Sequence, residues 1–214
     1  MARVLTTLRR GCWRAHTLAV FDARHAPSVP ASEIAALLVR HYREPHRAYH
    51  NLEHIAELLR WFDVVGDALG WTSPRDVYDA ILFHDVIYDA QARDNETRSA
   101  DLALASGCSQ RTAELIALTA LHGKLARDDV DTDAALFLDC DTAILGADPD
   151  AFDAYDRAIG LEYDHVPAAA YRAGRGAFLQ MMRERPRLFL TDFFHARLDA
   201  AARANLDRSL LRYG

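Results

Sequence analysis

Ser73-Pro74-Arg75-Asp76-Val77-Tyr78-Asp79-Ala80-Ile81-Leu82-Phe83-His84-Asp85 decides how this chain is read. Ser73 followed by Pro74 is a helix start, with proline at the first helical position where its missing N–H is harmless. Val77, Ile81 and Leu82 recur at helical spacing, so the segment predicts one helix with an apolar face. That helix delivers His84-Asp85 at or near its C-terminal end. An aspartate behind so apolar a run has to be paired or bound to a cation, since an isolated buried charge is very costly. The plainer alternative is a capping aspartate beside a satisfied histidine.

Outward from this segment the same periodicity repeats, and strict alternation over a strand length is rare, so the chain reads as all-α. Ser32 can cap a helix through Ile34, Leu37 and Leu38 that ends at Tyr42-Arg43-Glu44-Pro45, because a residue before proline is pushed out of the α region. Asn51 opens a helix through Ile55, Leu58, Leu59 and Phe62. Residues 86–94 read as a loop. Further helices are predicted at 95–106, 109–121, 133–145, 149–161, 167–183 and 190–212, punctuated by Gly107, Gly123, Gly146, Pro149 and Pro167. The expected architecture is a helical bundle forming one domain over 1–214, with a core at about 30–165 and a C-terminal helical extension at about 167–212.

Half of the 214 residues are apolar, enough for a sizeable core. Lys and Arg number 25 against 31 Asp and Glu, a net charge of −6. That balance argues against an extended nucleic-acid surface and leaves room for a small anion held by a few arginines. Cys12, Cys108 and Cys140 are scattered and form no CxxC, which fits a reducing cytoplasm rather than a disulfide framework. Arg9, Arg10 and Arg14 interrupt the apolar start, and no segment approaches a bilayer span, so a soluble, cytoplasmic protein is expected, away from membranes. A Gly-rich phosphate loop is absent, which removes P-loop chemistry.

Two more groups join His84-Asp85. Tyr49-His50-Asn51-Leu52-Glu53-His54-Ile55 places two histidines four apart, on one face if the helix starts early enough. Phe137-Leu138-Asp139-Cys140-Asp141 sets two carboxylates in an apolar run; either a cation holds them together or they are solvated acids at a helix start. Imidazole nitrogens with carboxylate oxygens suit a divalent transition metal. His16, His25, His41, His46, His165 and His195 belong to no such pattern and read as packing or surface residues.

These blocks together resemble the HD-domain superfamily of metal-dependent phosphohydrolases, in particular a bacterial branch. The similar stretches are Arg47 to Ile55, Phe83 to Asp89, Asp94 to Ala100, Phe137 to Gly146, Tyr171 to Arg175 and Ala202 to Leu206, spread from about residue 40 to 210. The resemblance implies an HD-like helical bundle with His54, His84, Asp85 and Asp141 as metal ligands and Asp139 as the fallback for the last. It selects His54 over His50, because the first ligand histidine in that family leads into an apolar helix. Gly160 stands where the same branch would have an arginine.

The resemblance further implies one divalent ion, among Mn, Mg, Co, Ni, Fe or Zn, because His122 alone lies between Asp85 and Asp141 where a dinuclear site carries two histidines; His122 would then face the substrate or a weakly held second ion. The cation would activate water against a small phosphorylated, for instance nucleotide-like, substrate. Arg47, Arg98 and Arg175 are the arginines nearest the matching blocks, and His50, Asn95 and His122 stand as further residues facing substrate or supporting the ligands. Glu96 and the ligand Asp85 are the candidate catalytic carboxylates. Three other readings remain: a non-catalytic nucleotide- or metal-binding sensor on the same scaffold, an HD-type diiron oxygenase, and an inverted zinc peptidase through His50-x-x-Glu53-His54. Oligomeric state is open.

Overall fold

A computed structural model describes residues 21–213; the start of the chain, with Arg9, Arg10, Arg14, Cys12 and His16, lies outside the described residues. Among those described there are nine α-helices and three short 3-10 turns, and no strand, so the all-α expectation holds. The backbone falls into two compact units. The first comprises 21–88 and 94–116, the second 89–93 and 117–213.

In the first unit, α1 (Ser32–Tyr42), α2 (Leu52–Ala68), α3 (Pro74–Phe83), α4 (Asn95–Ala105) and α5 (Gln110–Leu118, running into the second unit) follow in order. Ala31, not Ser32, occupies the N-cap of α1, one residue earlier than the sequence suggests. Asn51 caps α2 as expected, its side-chain oxygen accepting from the Glu53 N–H at 2.7 Å. Asp94 occupies the N-cap position of α4, so this helix begins at Asn95 as predicted. α3 packs against α2 and α4, and every residue from Val77 to His84 is buried.

All four terminal carbonyls of α3 find donors within the protein, which is what a buried helix end requires. The Ala80 carbonyl accepts from the His84 N–H at 2.9 Å and the Phe83 carbonyl from the Val86 N–H at 3.1 Å. Ile81 accepts from His84 Nδ1 at 3.0 Å and Leu82 from the Tyr42 hydroxyl at 2.9 Å.

The second unit contains 3-10 turns at Thr119–Leu121, Arg127–Asp129 and Ala143–Gly146, and α6 (Thr132–Thr142), α7 (Pro149–Glu162), α8 (Ala168–Glu184) and α9 (Asp192–Tyr213). The sequence's 109–121 and 133–145 helices each end early and tighten into a 3-10 turn, a usual finish for a helix whose last carbonyls lack α-type partners. α9 packs on α8 and on the Ala143–Gly146 turn. Arg203 of α9 donates to the carbonyls of Arg183, Arg185 and Pro186, closing the C-terminal end of α8.

Gly146 lets the turn meet α9 closely: a Cβ there would lie 2.6 Å from Leu198 Cβ and 2.9 Å from the Leu198 carbonyl oxygen. Because part of that obstacle is backbone, Gly146→Ala is expected to destabilise the protein by about 1–3 kcal/mol through forced separation of the two elements. Urea unfolding would read the change, and a midpoint equal to wild type would refute it.

Candidate metal centre

The C-terminal end of α3 and the first turn of α2 bring two imidazoles and a carboxylate together inside the first unit. His54 Nε2 lies 3.2 Å from His84 Nε2. Asp85 Oδ2 lies 3.0 Å from His84 Nε2 and 3.5 Å from His54 Nε2. Both histidines are buried, and Asp85 is half-buried.

The tautomer of His84 follows from its neighbour. Its Nδ1 faces the Ile81 carbonyl, which only accepts, so the ring proton sits on Nδ1. In the neutral ring Nε2 is then a lone-pair acceptor aimed at His54 Nε2 and Asp85 Oδ2. Acceptors converging in a buried space call for a proton or a cation between them. A carbonyl fixing the far nitrogen of a histidine is the usual support behind a metal ligand. Burial alone would lift the Asp85 carboxyl. When a proton rather than a cation fills the space, the imidazolium charge of His84 and that of His50, with hydrogen bonds from His54 and His84, overcome that and hold it well below the usual carboxylate range.

In the second unit, Asp141 stands near the end of α6, half-buried, with its Oδ2 3.4 Å from His122 Nε2. Within the first unit, His54, His84 and Asp85 each aim one nitrogen or oxygen at this space. Two imidazole nitrogens and a carboxylate oxygen fit a borderline divalent cation.

Asp139 is engaged elsewhere. Its Oδ1 accepts from the Leu190 N–H at 2.7 Å; its Oδ2 accepts from the Thr191 N–H at 2.8 Å and the Thr191 hydroxyl at 2.6 Å. It fastens the chain entering α9. Burial pushes its carboxyl up to about 6, against the pull of the Thr191 hydroxyl and the two N–H donors. Residues 139 and 141 therefore leave α6 in different directions, as a two-residue step on a helix dictates.

His50 precedes α2 rather than sharing a helical face with His54. Its ring stacks on Tyr88 at a centroid distance of 4.2 Å and meets the His54 ring edge-on at 5.9 Å. The single helical face that an inverted zinc-peptidase motif needs is therefore not formed by His50 and His54.

Two of the three arginines are buried in other contacts. Arg47 is buried, with hydrogen bonds to Glu44, His50, Asp85 and Val86. Arg175 is buried in the second unit, its Nε donating to Asp156 Oδ1 at 2.9 Å, with Tyr155 and Phe178 rings beside it. Arg98 is exposed and lies 3.9 Å from Asp94. Asn95 and Glu96 open α4, half-buried; the converging ligand atoms come from other residues.

Three contributors to this arrangement carried no recognisable signal. Tyr42 and Tyr88 sit in ordinary aromatic positions, and only the fold shows one closing the end of α3 and the other stacking on His50. Thr191 resembles any helix-start threonine, and its bond to Asp139 joins positions 52 residues apart.

Comparison with family models, with curated proteins and with solved structures finds no match to this chain.

Proposed function

We propose that the chain is a metal-dependent phosphohydrolase of HD type acting on a small phosphorylated substrate, with His54, His84, Asp85 and Asp141 holding one divalent cation. The observation that carries this reading is the close approach of His54 Nε2, His84 Nε2 and Asp85 Oδ2 in a buried space, with the Ile81 carbonyl holding His84 Nδ1 so that the lone pair of a neutral His84 points inward. The resemblance of Arg47–Ile55, Phe83–Asp89 and Phe137–Gly146 to HD phosphohydrolases supplies the substrate class.

A divalent ion there would supply Lewis acidity and a water-derived nucleophile at neutral pH. The residues of the chain do the rest. Asp85, held ionised, offsets part of the cation's charge and can accept a hydrogen bond from the attacking water. His122, 3.4 Å from Asp141, is placed to orient that ligand or to meet a phosphoryl oxygen. Glu96 remains the candidate for proton delivery to the leaving oxygen.

A second reading is favoured by one observation: Arg47 and Arg175 are both buried and ion-paired, so neither is available to neutralise a transferring phosphoryl group. Such a site suits a non-catalytic module that binds a metal or nucleotide. Assaying the full chain with Mn, Mg, Co, Ni, Fe and Zn in turn against phosphomonoesters, nucleotides and phosphodiesters separates the two. The proposal expects hydrolysis with at least one metal, lost in His84→Ala and in Asp141→Ala. Silence with every metal, together with tight nucleotide binding, would establish the module instead.

A further inference from the structure

The guanidinium of Arg47 is the most completely enclosed charge near the ligand cluster: its side chain has no exposed surface. Four hydrogen bonds occupy it. Nε donates to Glu44 Oε2 at 3.0 Å, Nη1 to the carbonyls of Asp85 at 2.6 Å and His50 at 3.1 Å, and Nη2 to the Val86 carbonyl at 2.9 Å. Tyr42 and Tyr88 rings flank the charge at 5.3 and 5.5 Å. Such a group cannot meet a substrate.

What it joins is specific. Asp85 and Val86 form the turn that leaves α3, and His50 lies in the turn that enters α2. The first turn presents His84 and Asp85; the second leads one helical turn later to His54. The planar fork of arginine spans all three carbonyls at once, whereas the ammonium of lysine is a point charge on a flexible stem. The buried charge is tolerated because carbonyl oxygens, Glu44 and two aromatic faces surround it.

We infer that Arg47 is a positioning residue: it clamps the turn after α3 to the turn before α2 and so fixes the spacing of His54, His84 and Asp85 as a ligand set. This inference rests on the metal reading proposed above. Outer groups that orient metal ligands typically contribute about 10–100-fold to metal affinity, and that is the effect assigned to Arg47.

The test is Co(II) titration of the full-length chain, followed by visible absorption, which reports coordination geometry as well as affinity. Arg47→Lys is expected to keep the wild-type far-UV circular dichroism, bind Co(II) roughly 10–100-fold more weakly, and shift the visible bands. Arg75→Lys, which alters the unrelated Arg75–Asp79 pair of the same unit, is expected to leave affinity and bands unchanged. Should Arg47→Lys fail to fold, Glu44→Ala removes one edge of the clamp from its partly exposed side, with weaker Co(II) binding and shifted bands expected. A folded Arg47→Lys, or in its place Glu44→Ala, with the affinity and spectrum of wild type overturns the inference while leaving the metal site standing. So does an equal loss in Arg75→Lys, which would make the effect one of general destabilisation. A wild-type chain that binds no Co(II) removes the metal reading and this inference together.

Discussion

His84→Ala is expected to abolish measurable binding of divalent metal, a loss larger than the roughly 100-fold upper range of outer-shell changes. The side chain supplies the one nitrogen that approaches both His54 Nε2 and Asp85 Oδ2, and its other nitrogen is held by the Ile81 carbonyl. Removing it takes away a ligand and also leaves that buried carbonyl short of a donor, a penalty of about 1–3 kcal/mol in the metal-free protein. Thermal unfolding separates the two effects. Wild type should gain about 2.7 kcal/mol of stability at metal concentrations near 100 times Kd, whereas the variant should gain none. His50→Ala is the informative partner, because His50 stands outside α2 and stacks on Tyr88. If His50→Ala lost the metal and His84→Ala kept it, the inverted peptidase motif would return and the phosphohydrolase reading would fall.

Asp139→Ala and Asp141→Ala should behave as opposites. Asp139 accepts three hydrogen bonds at the entry to α9, two of them from backbone N–H groups. Its truncation orphans buried donors at about 1–3 kcal/mol each, so a total loss of about 3–5 kcal/mol is expected with the metal still bound by the folded fraction. Asp141 is half-buried, with its Oδ2 3.4 Å from His122 Nε2. Its truncation should lower stability little and metal affinity strongly. Urea unfolding and Co(II) titration of both variants make the comparison. Metal loss in Asp139→Ala with full retention in Asp141→Ala would reverse the ligand assignment.

Much of the helical layout was legible because the cues are local. Asn51 and Pro74 mark helix starts by chemistry that needs no distant partner, and the apolar spacing of Val77, Ile81 and Leu82 places α3 without tertiary information. Boundaries slipped where tertiary contacts decide them. The helix predicted at 133–145 ends at Thr142 because the next residues tighten into a 3-10 turn against α9, and nothing in Ala143-Ile144-Leu145-Gly146 announces that neighbour.

The candidate site divides in the same way. His54, His84 and Asp85 stood out because the resemblance to HD domains picks them, and within the first unit their nitrogen and oxygen atoms do come together. The division of labour between Asp139 and Asp141 was not readable, since two carboxylates one residue apart look alike until Leu190 and Thr191 are seen to occupy one of them. Arg47 and Arg175 could be phosphate ligands as well as buried clamps on sequence grounds. Their partners, carbonyls in one case and Asp156 in the other, lie 19 or more residues away for the contacts that decide the matter.

Asp139 and Asp141 share one turn of one stiff helix, so the anchor for α9 and the proposed acidic ligand cannot move independently. A substitution at Leu190 or Thr191 that shifts the start of the last helix should swing residue 141 by a comparable amount. If Asp141 is the ligand proposed above, metal occupancy would then be adjustable from a position some fifty residues downstream, giving natural variation a quiet dial that leaves every proposed ligand intact.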